Sequence, residues 1–280
     1  MNGADLNRMG EQEAILQTAQ GPITRASLRR DLEGLGVHAG MTLLVHASLS
    51  RLGWVAGGPA AVILALEDAL GAEGTLMMPA HSGDLSEPSH WGHPPVPEDW
   101  WPVIRAEATA FQTDLTPTRG MGVIAETFRR QVGTLRSQHP QLSFAARGPR
   151  AEELTRDHAL TPALGDESPL ARLYALDGWV LFLGTDHNTN TSLHLAEVRA
   201  RLANPQRIQQ GAPVLADGER RWVTFEDYDW DCDDFAALGA EYIPAPGDAF
   251  TGRVGLAQTS LFRQRPMVDF AVGWMESHRR

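Results

Sequence analysis

The chain has 280 residues, 42% of them hydrophobic, which allows one large α/β domain or two modest ones around a real core. A net charge of −11 argues against binding a nucleic-acid backbone; it suits a small cationic amine steered by an acidic cleft, or simply keeps the surface soluble. No apolar run is long enough to span a bilayer, the first residues are polar rather than signal-like, and a single cysteine, Cys232, excludes an intrachain disulfide and a cysteine-based zinc cage, so a cytoplasmic enzyme is expected.

Residues 1–20 carry little pattern and read as a mobile lead-in to a single α/β domain over 21–280. Thr24 precedes a helix in which Leu28, Leu32 and Leu35 keep the apolar spacing, and Gly36 and Gly40 supply stops. Residues 42–45 read as a buried strand running into His46-Ala47-Ser48-Leu49-Ser50. Gly57-Gly58 opens the next helix, either as an anion site built of backbone N–H groups or as a close helix–strand turn. Residues 75–78 form another short strand, leading into Pro79-Ala80-His81-Ser82.

Residues 83–120 are rich in proline and carry Trp91, Trp100 and Trp101 without periodicity. They read as a loop excursion that lines or covers a site; its aromatics either contact a sugar or cofactor or pack locally. A helix over 122–131, a strand over 143–146 and a helix over 149–156 follow. Ser168 then caps a helix with Pro169 in its first turn.

The stretch 178–201 organises the rest. Trp179 to Leu183 is a strand apolar on both faces, closed by Gly184. The polar turn-forming run 185–191 leads into a helix capped by Thr191 or Ser192, which places His194 in the first turn and Glu197 three residues on, along the same face. An imidazole and a carboxylate are thereby held at the mouth of a strand-loop-helix unit, where open α/β sheets bind ligands. By spacing alone, the pair reads as a general base with its partner carboxylate, as half of a metal site, or as two neighbours on a helix surface. Beyond it, Asp217-Gly218 signals a hairpin between pieces near 213–215 and 221–225; 235–242 reads as a helix, 252–262 as strand into helix, and 267–278 as an amphipathic helix or a strand continuing into one.

The run 226–234 is strongly acidic and is either a solvated loop or a wall for cations, with Tyr228 and Trp230 offering faces to a sugar or an ammonium group. His-Glu-x-x-His, Gly-x-Ser-x-Gly, Gly-x-Gly-x-x-Gly and a Walker loop are all missing from the sequence, so zinc-protease, hydrolase-elbow, dinucleotide and kinase readings lack their primary signals. Cys232 reads as a small packed residue rather than a nucleophile.

Taken in order, Val45-His46-Ala47-Ser48-Leu49-Ser50 with Gly57-Gly58, Gly71-x-x-Gly74-Thr75-Leu76, Arg136-Ser137-x-His139-Pro140, Glu167-Ser168-Pro169 and Asn188-x-Asn190-Thr191-x-Leu193-His194-x-Ala196-Glu197 resemble the aminoglycoside 3-N-acetyltransferase family. The resemblance spans nearly the whole chain. It implies an α/β fold with mixed sheet flanked by helices, distinct from the GNAT acetyltransferases, and acetyl transfer from acetyl-CoA to an amine, without a metal. The best-known acceptor is the 3-amino group of a 2-deoxystreptamine antibiotic; some relatives take other amines. On this resemblance His194 is the base, Glu197 its motif partner, and Asp229 the supporting aspartate, with Asp227 the adjacent candidate. Ser48, Leu49, Ser50, Arg136, Ser137, Ser168 and Thr191 fall on CoA-binding segments. Asp227, Tyr228, Asp231 and Trp91 are the expected acceptor contacts, in a monomer or homodimer. A metal-dependent hydrolase using His194, Glu197, His187 and the acidic run is the alternative reading.

Overall fold

The computed structural model describes residues 11–19 and 21–279, so the lead-in expected over 1–20 lies outside the described residues at 1–10 and 20. Residues 11–17 are helical (α1), and just beyond them Thr18 Oγ1 accepts a hydrogen bond from Trp54 N at 2.8 Å. The chain then runs α2 (Arg25–Leu35), β1 (Thr42–Ala47), α3 (Gly58–Leu70), β2 (Thr75–Pro79), α4 (Trp101–Glu107), α5 (Gly122–Arg129), β3 (Leu135–Arg136), β4 (Phe144–Arg147), α6 (Ala151–Thr155), α7 (Pro169–Ala175) and β5 (Trp179–Leu183). It continues through α8 (Ser192–Arg199), β6 (Arg207–Ala216), β7 (Glu219–Tyr228), α9 (Phe235–Glu241), β8 (Ala249–Val254), β9 (Ala257–Arg263) and α10 (Gln264–His278).

Seven strands form one mixed sheet in the order β3-β4-β2-β1-β5-β9-β8, in which β2, β1 and β5 are parallel and the outer strands antiparallel. β6 and β7 make a separate hairpin. The central strands are apolar without alternation because both faces are covered. Leu43, Val45, Leu181 and Leu183 pack in the layer formed with α2, α3 and α5; Leu44, Val180 and Phe182 pack in the opposite layer with α6 to α10. This is the α/β architecture, a mixed sheet flanked by helices, that the sequence led us to expect. From β1 the chain crosses through α3 to β2 on one side, whereas β5 joins β1 on the other. The order therefore reverses between β1 and β5, and a crevice opens at their C-terminal ends.

Two stretches differ from their sequence reading. The excursion at 83–120 contains α4 and short 3₁₀ turns, because Pro88 and Pro102 sit in first turns, where a missing N–H costs nothing, rather than acting as breakers. It is tied to the rest of the fold: Phe111 N donates to Pro213 O on the hairpin at 3.1 Å, and Arg136 reaches the carbonyls of Thr113 and Thr116. The stretch 252–262 is not strand into helix but the hairpin β8–β9, with the helix delayed to Gln264. Gly255 allows the two-residue turn, having φ of +57° and backbone so close that a Cβ would meet Leu52 O at 2.8 Å. Among the described residues no helix is long and apolar enough to cross a membrane.

Candidate active site

The C-terminal ends of the three parallel strands supply the site. β1 leads into His46 and Ser48–Ser50, β2 into His81, and β5 into the loop 185–191 that feeds α8. Gly184 makes the exit from β5: its φ is +73°, and a Cβ there would stand 2.6 Å from Arg51 Cβ. Beyond it the polar side chains fold the loop. Asp186 accepts from Asn188 N at 3.0 Å, and Thr185 Oγ1 donates to His46 O at 3.2 Å. Asn190 is buried, and its Oδ1 accepts from Ser192 N at 3.1 Å, which satisfies an N–H at the start of α8. Thr191 occupies the N-cap position, yet its hydroxyl makes no cap bond and lies 3.4 Å from His46 Nε2 instead.

These pieces surround a cavity of about 1060 Å³. Its wall includes Ser48, Leu49, Ser50, Trp54, His46, His81, Thr191, His194, Trp230 and Phe235. Gly58 at the start of α3 and Gly122–Ala125 at the start of α5 also line it, so helix N-termini bring partial positive charge to a cavity with no lysine or arginine among its described lining residues; Gly58 N itself is spent on Val55 O at 2.9 Å. Glu11 is the one carboxylate among the described lining residues.

His194 sits in the first turn of α8 with its side chain 13% exposed. Its ring packs against Phe235 and Trp230, at centroid distances of 4.8 and 5.4 Å. Nδ1 is hydrogen-bonded to Glu197 Oε2, and Glu197 Oε1 accepts from Arg279 Nη1. A carboxylate next to an arginine is an acceptor, so Nδ1 carries the proton and the lone pair of the neutral ring resides on Nε2. Nε2 has no protein partner among the described residues, on a side chain that lines the cavity. His46 and His81 stand across the same space. Burial pushes both rings down to about 3, so they stay neutral hydrogen-bonding groups at any ordinary pH. His81 Nε2 is buried without a protein partner.

The structure does not gather every residue expected at the site. Glu197, rather than Asp229, is the carboxylate on His194; Asp229 is exposed and makes no side-chain hydrogen bond to the ring. Asp227 is buried behind the wall, accepting from Thr161 Oγ1 at 3.2 Å and Ala163 N at 3.4 Å, and burial raises it above the usual carboxylate range. Tyr228 stacks on Trp230 at 5.2 Å and takes Arg207 on its ring, so it supports the wall from behind. Asp231 is exposed beside the rim and accepts from Asp233 N. Trp91 donates to Ser86 Oγ at 2.8 Å within the excursion and does not line the cavity.

Of the expected CoA segments, Ser48, Leu49, Ser50 and Thr191 line the cavity. Arg136, Ser137 and Ser168 do not, because their polar atoms are already used: Arg136 binds Ala80 O, Thr113 O, Thr116 O and Ser143 Oγ, Ser137 Oγ bonds His158 Nδ1 and accepts from Phe144 N, and Ser168 caps α7. The donor set of the metal-hydrolase alternative is not assembled: among the described residues no group of three or more His, Cys, Asp or Glu is placed to hold a metal. The sequence motifs carry His46 without a role and pass over His81 and Arg279; the structure puts both histidines on the cavity wall and Arg279 on Glu197. His46 directly follows the strand expected over 42–45, and His81 lies in the Pro79-Ala80-His81 exit of the one over 75–78, which was the available signal; nothing in the sequence marked Arg279.

The chain matches the family model for aminoglycoside 3-N-acetyltransferase over residues 44–276. It is 42% identical over 261 residues to the SPbeta prophage-derived aminoglycoside N(3')-acetyltransferase-like protein YokD of Bacillus subtilis, covering 93% of this chain and 95% of that one. It is 39% identical over 281 residues to aminoglycoside N(3)-acetyltransferase VII of Streptomyces paromomycinus, covering 95% and 96%. The crystal structure of YokD superposes with a TM-score of 0.90 at 40% identity, over 95% of this chain and 98% of that one. A structure described as AAC-IIIb binary with CoASH superposes with a TM-score of 0.82 at 32% identity, over 92% and 97%. With the family pattern matched across the sheet, the β5 loop and α8, this chain belongs to the aminoglycoside 3-N-acetyltransferase family of acyltransferases.

Proposed function

We propose that the chain transfers an acetyl group from acetyl-CoA to an amine, foremost the 3-amino group of a 2-deoxystreptamine aminoglycoside, by direct attack with His194 as general base. One observation carries this reading: the Nδ1 of His194 is bonded to a buried carboxylate, while its Nε2 has no protein partner and its side chain lines the cavity. An amine must shed a proton to attack a thioester, and an imidazole suits that transfer near neutral pH. As the amine nitrogen bonds to the carbonyl carbon, Nε2 takes its proton, Glu197 balances the imidazolium, and the C–S bond breaks to release CoA as thiolate, which is then protonated. Backbone N–H groups at the start of α5 and the Thr191 hydroxyl are donors on the wall for the oxygen that gains negative charge. No covalent enzyme intermediate is required.

The cavity also fits the donor. Its volume admits a pantetheine arm, its lining is largely apolar, and the N-termini of α3 and α5 favour anionic groups. The relative bound to CoASH supports the same donor. The further ammonium groups of an aminoglycoside find few anions inside, so they rest against the exposed carboxylates of Asp229, Asp231 and Asp233, which alternate in sequence with the lining residues Trp230 and Cys232.

The test is release of CoA thiol from acetyl-CoA in the presence of a panel of aminoglycosides and simpler amines. Release that depends on an aminoglycoside with a free 3-amino group supports the full reading. Release with other amines alone would move the acceptor outside the antibiotics, and no release with any amine would defeat the proposal.

A further inference from the structure

Resting on the reading of His194 as base, we infer that Arg279 is a positioning residue for it: anchored by Asp234, its guanidinium keeps Glu197 an ionised partner of the ring and sets the pH range over which the base can act. Glu197 is 4% exposed, and a carboxylate so buried beside a neutral imidazole is poorly compensated. Arg279 supplies the compensation. Nη1 donates to Glu197 Oε1, Nε to Asp234 Oδ2 at 2.7 Å, and Nη2 to Asp234 Oδ1 at 2.5 Å and Asp231 O at 3.1 Å. The guanidinium also lies 5.8 Å from the centre of the Phe235 ring, which itself packs on His194. Burial works against its charge, and the bonds to Asp234 and Glu197 more than offset this, so it stays cationic throughout.

The helix preceding Arg279 grips the same unit at its other end. In α10, Gln264 Nε2 donates to Ser192 Oγ at 3.0 Å, and Asn190 Nδ2 meets Met267 Sδ at 3.4 Å. The loop, the first turn of α8 and Glu197 are therefore all referenced to one helix and the arginine that follows it.

The charge count gives the expected behaviour. With a neutral ring, Glu197 and Asp234 contribute two negative charges and Arg279 one positive. Removing Arg279 leaves Glu197 on the imidazole, and Asp234 behind it, with no cation to offset them, which favours the protonated ring and makes the base unavailable at pH values where it now works. Removing the charge of Asp234 has the opposite effect. The other groups facing the pair do not change charge in that range: burial pushes His46 and His81 to about 3, and burial with Asp233 and Asp231 raises the Cys232 thiol.

The experiment is the pH dependence of kcat/KM by CoA thiol release for wild type, Arg279→Gln, Arg279→Lys, Asp234→Asn and His194→Ala. Arg279→Gln moves the acid limb up by about one pH unit, the scale of one charge at a partly buried site. Asp234→Asn moves it down, and Arg279→Lys keeps it near wild type. A merely structural role moves neither limb. Limbs of Arg279→Gln and Asp234→Asn that coincide with wild type, or shift together, overturn the inference. Should Arg279→Gln not fold, Arg279→Lys and Asp234→Asn decide it: a downward shift in the second with the first unmoved supports it, and anything else overturns it. An acid limb that His194→Ala abolishes but Arg279→Gln leaves in place defeats this inference alone. Wild-type kcat/KM in His194→Ala defeats the base assignment as well.

Discussion

Two clusters built from the same residue types lie at different parts of the sheet and do different things. Beyond β1, β2 and β5, His46, His81, Thr191 and His194 border a cavity, and Nε2 of both His81 and His194 has no protein partner among the described residues. Beside β3 and β4, Arg136, Ser137, His139 and His158 are packed shut. His158 donates through Nε2 to Ala163 O at 2.6 Å and accepts at Nδ1 from Ser137. His139 binds Leu160 O at 3.1 Å and takes the amides of Gln141 and Leu142 at 3.1 and 2.9 Å. Motif resemblance touches both clusters, through His46, Thr191 and His194 in the first and Arg136, Ser137 and His139 in the second. Hydrogen-bonding capacity separates them: the first keeps some unspent beside empty space, whereas the second spends all of it on the fold.

The contrast can be broken in five ways. His194→Ala should lower kcat by about 10²–10⁴-fold, the usual range for a lost general base, with little change in the KM for acetyl-CoA; thiol-release kinetics measure both, and near-wild-type turnover would erase the distinction. Arg136→Ala should destabilise the fold by ~1–3 kcal/mol for each buried carbonyl it leaves unpaired; denaturant unfolding reads this, and the folded fraction should keep its KM. Acidification comes next. Burial holds His139 at about 4 and His158 well below the ordinary value. The unfolded chain protonates both near the ordinary histidine value of about 6.5, so the folded state is fully favoured above that value and loses stability as the pH falls from there toward the folded values. The loss approaches ~1.4 kcal/mol per pH unit for each ring, and a thermal midpoint that stays level on acidification would show the cluster is more open than it looks.

Smaller effects sharpen the picture. Ser137→Ala should cost ~1–3 kcal/mol in unfolding free energy by leaving the Phe144 amide and His158 unpaired, without weakening acetyl-CoA binding measured by calorimetry. Asp229→Asn should leave kcat within about threefold of wild type, since exposed carboxylates at a rim act mainly through screened attraction. A collapse of turnover there would return Asp229 to the catalytic group.

Much of this arrangement was legible from the residues. Uninterrupted apolar runs at 42–45, 75–78 and 179–183 showed strands covered on both faces, and the resemblance carried the fold class. His194 and Glu197 were legible as a pair because three-residue spacing on a helix is a local property. The hairpin β8–β9 was missed because a Gly-Leu turn lacks the usual asparagine or aspartate signal. The excursion was misread as loop because proline in a first turn looks, in sequence, like proline that breaks a helix.

The sequence by itself determined the central strands, the faces they bury, and that an imidazole and a carboxylate share one turn of helix, all of which follow from periodicity and near neighbours. Only the tertiary structure decided which polar groups remain available. Arg279 reaches Glu197 across 82 residues and Arg136 reaches back 56 residues to Ala80, and contacts at such separations depend on how layers pack. Whether a serine or a histidine binds substrate or braces the fold is a question of unspent hydrogen bonds beside open volume, and volume exists only once the chain has folded.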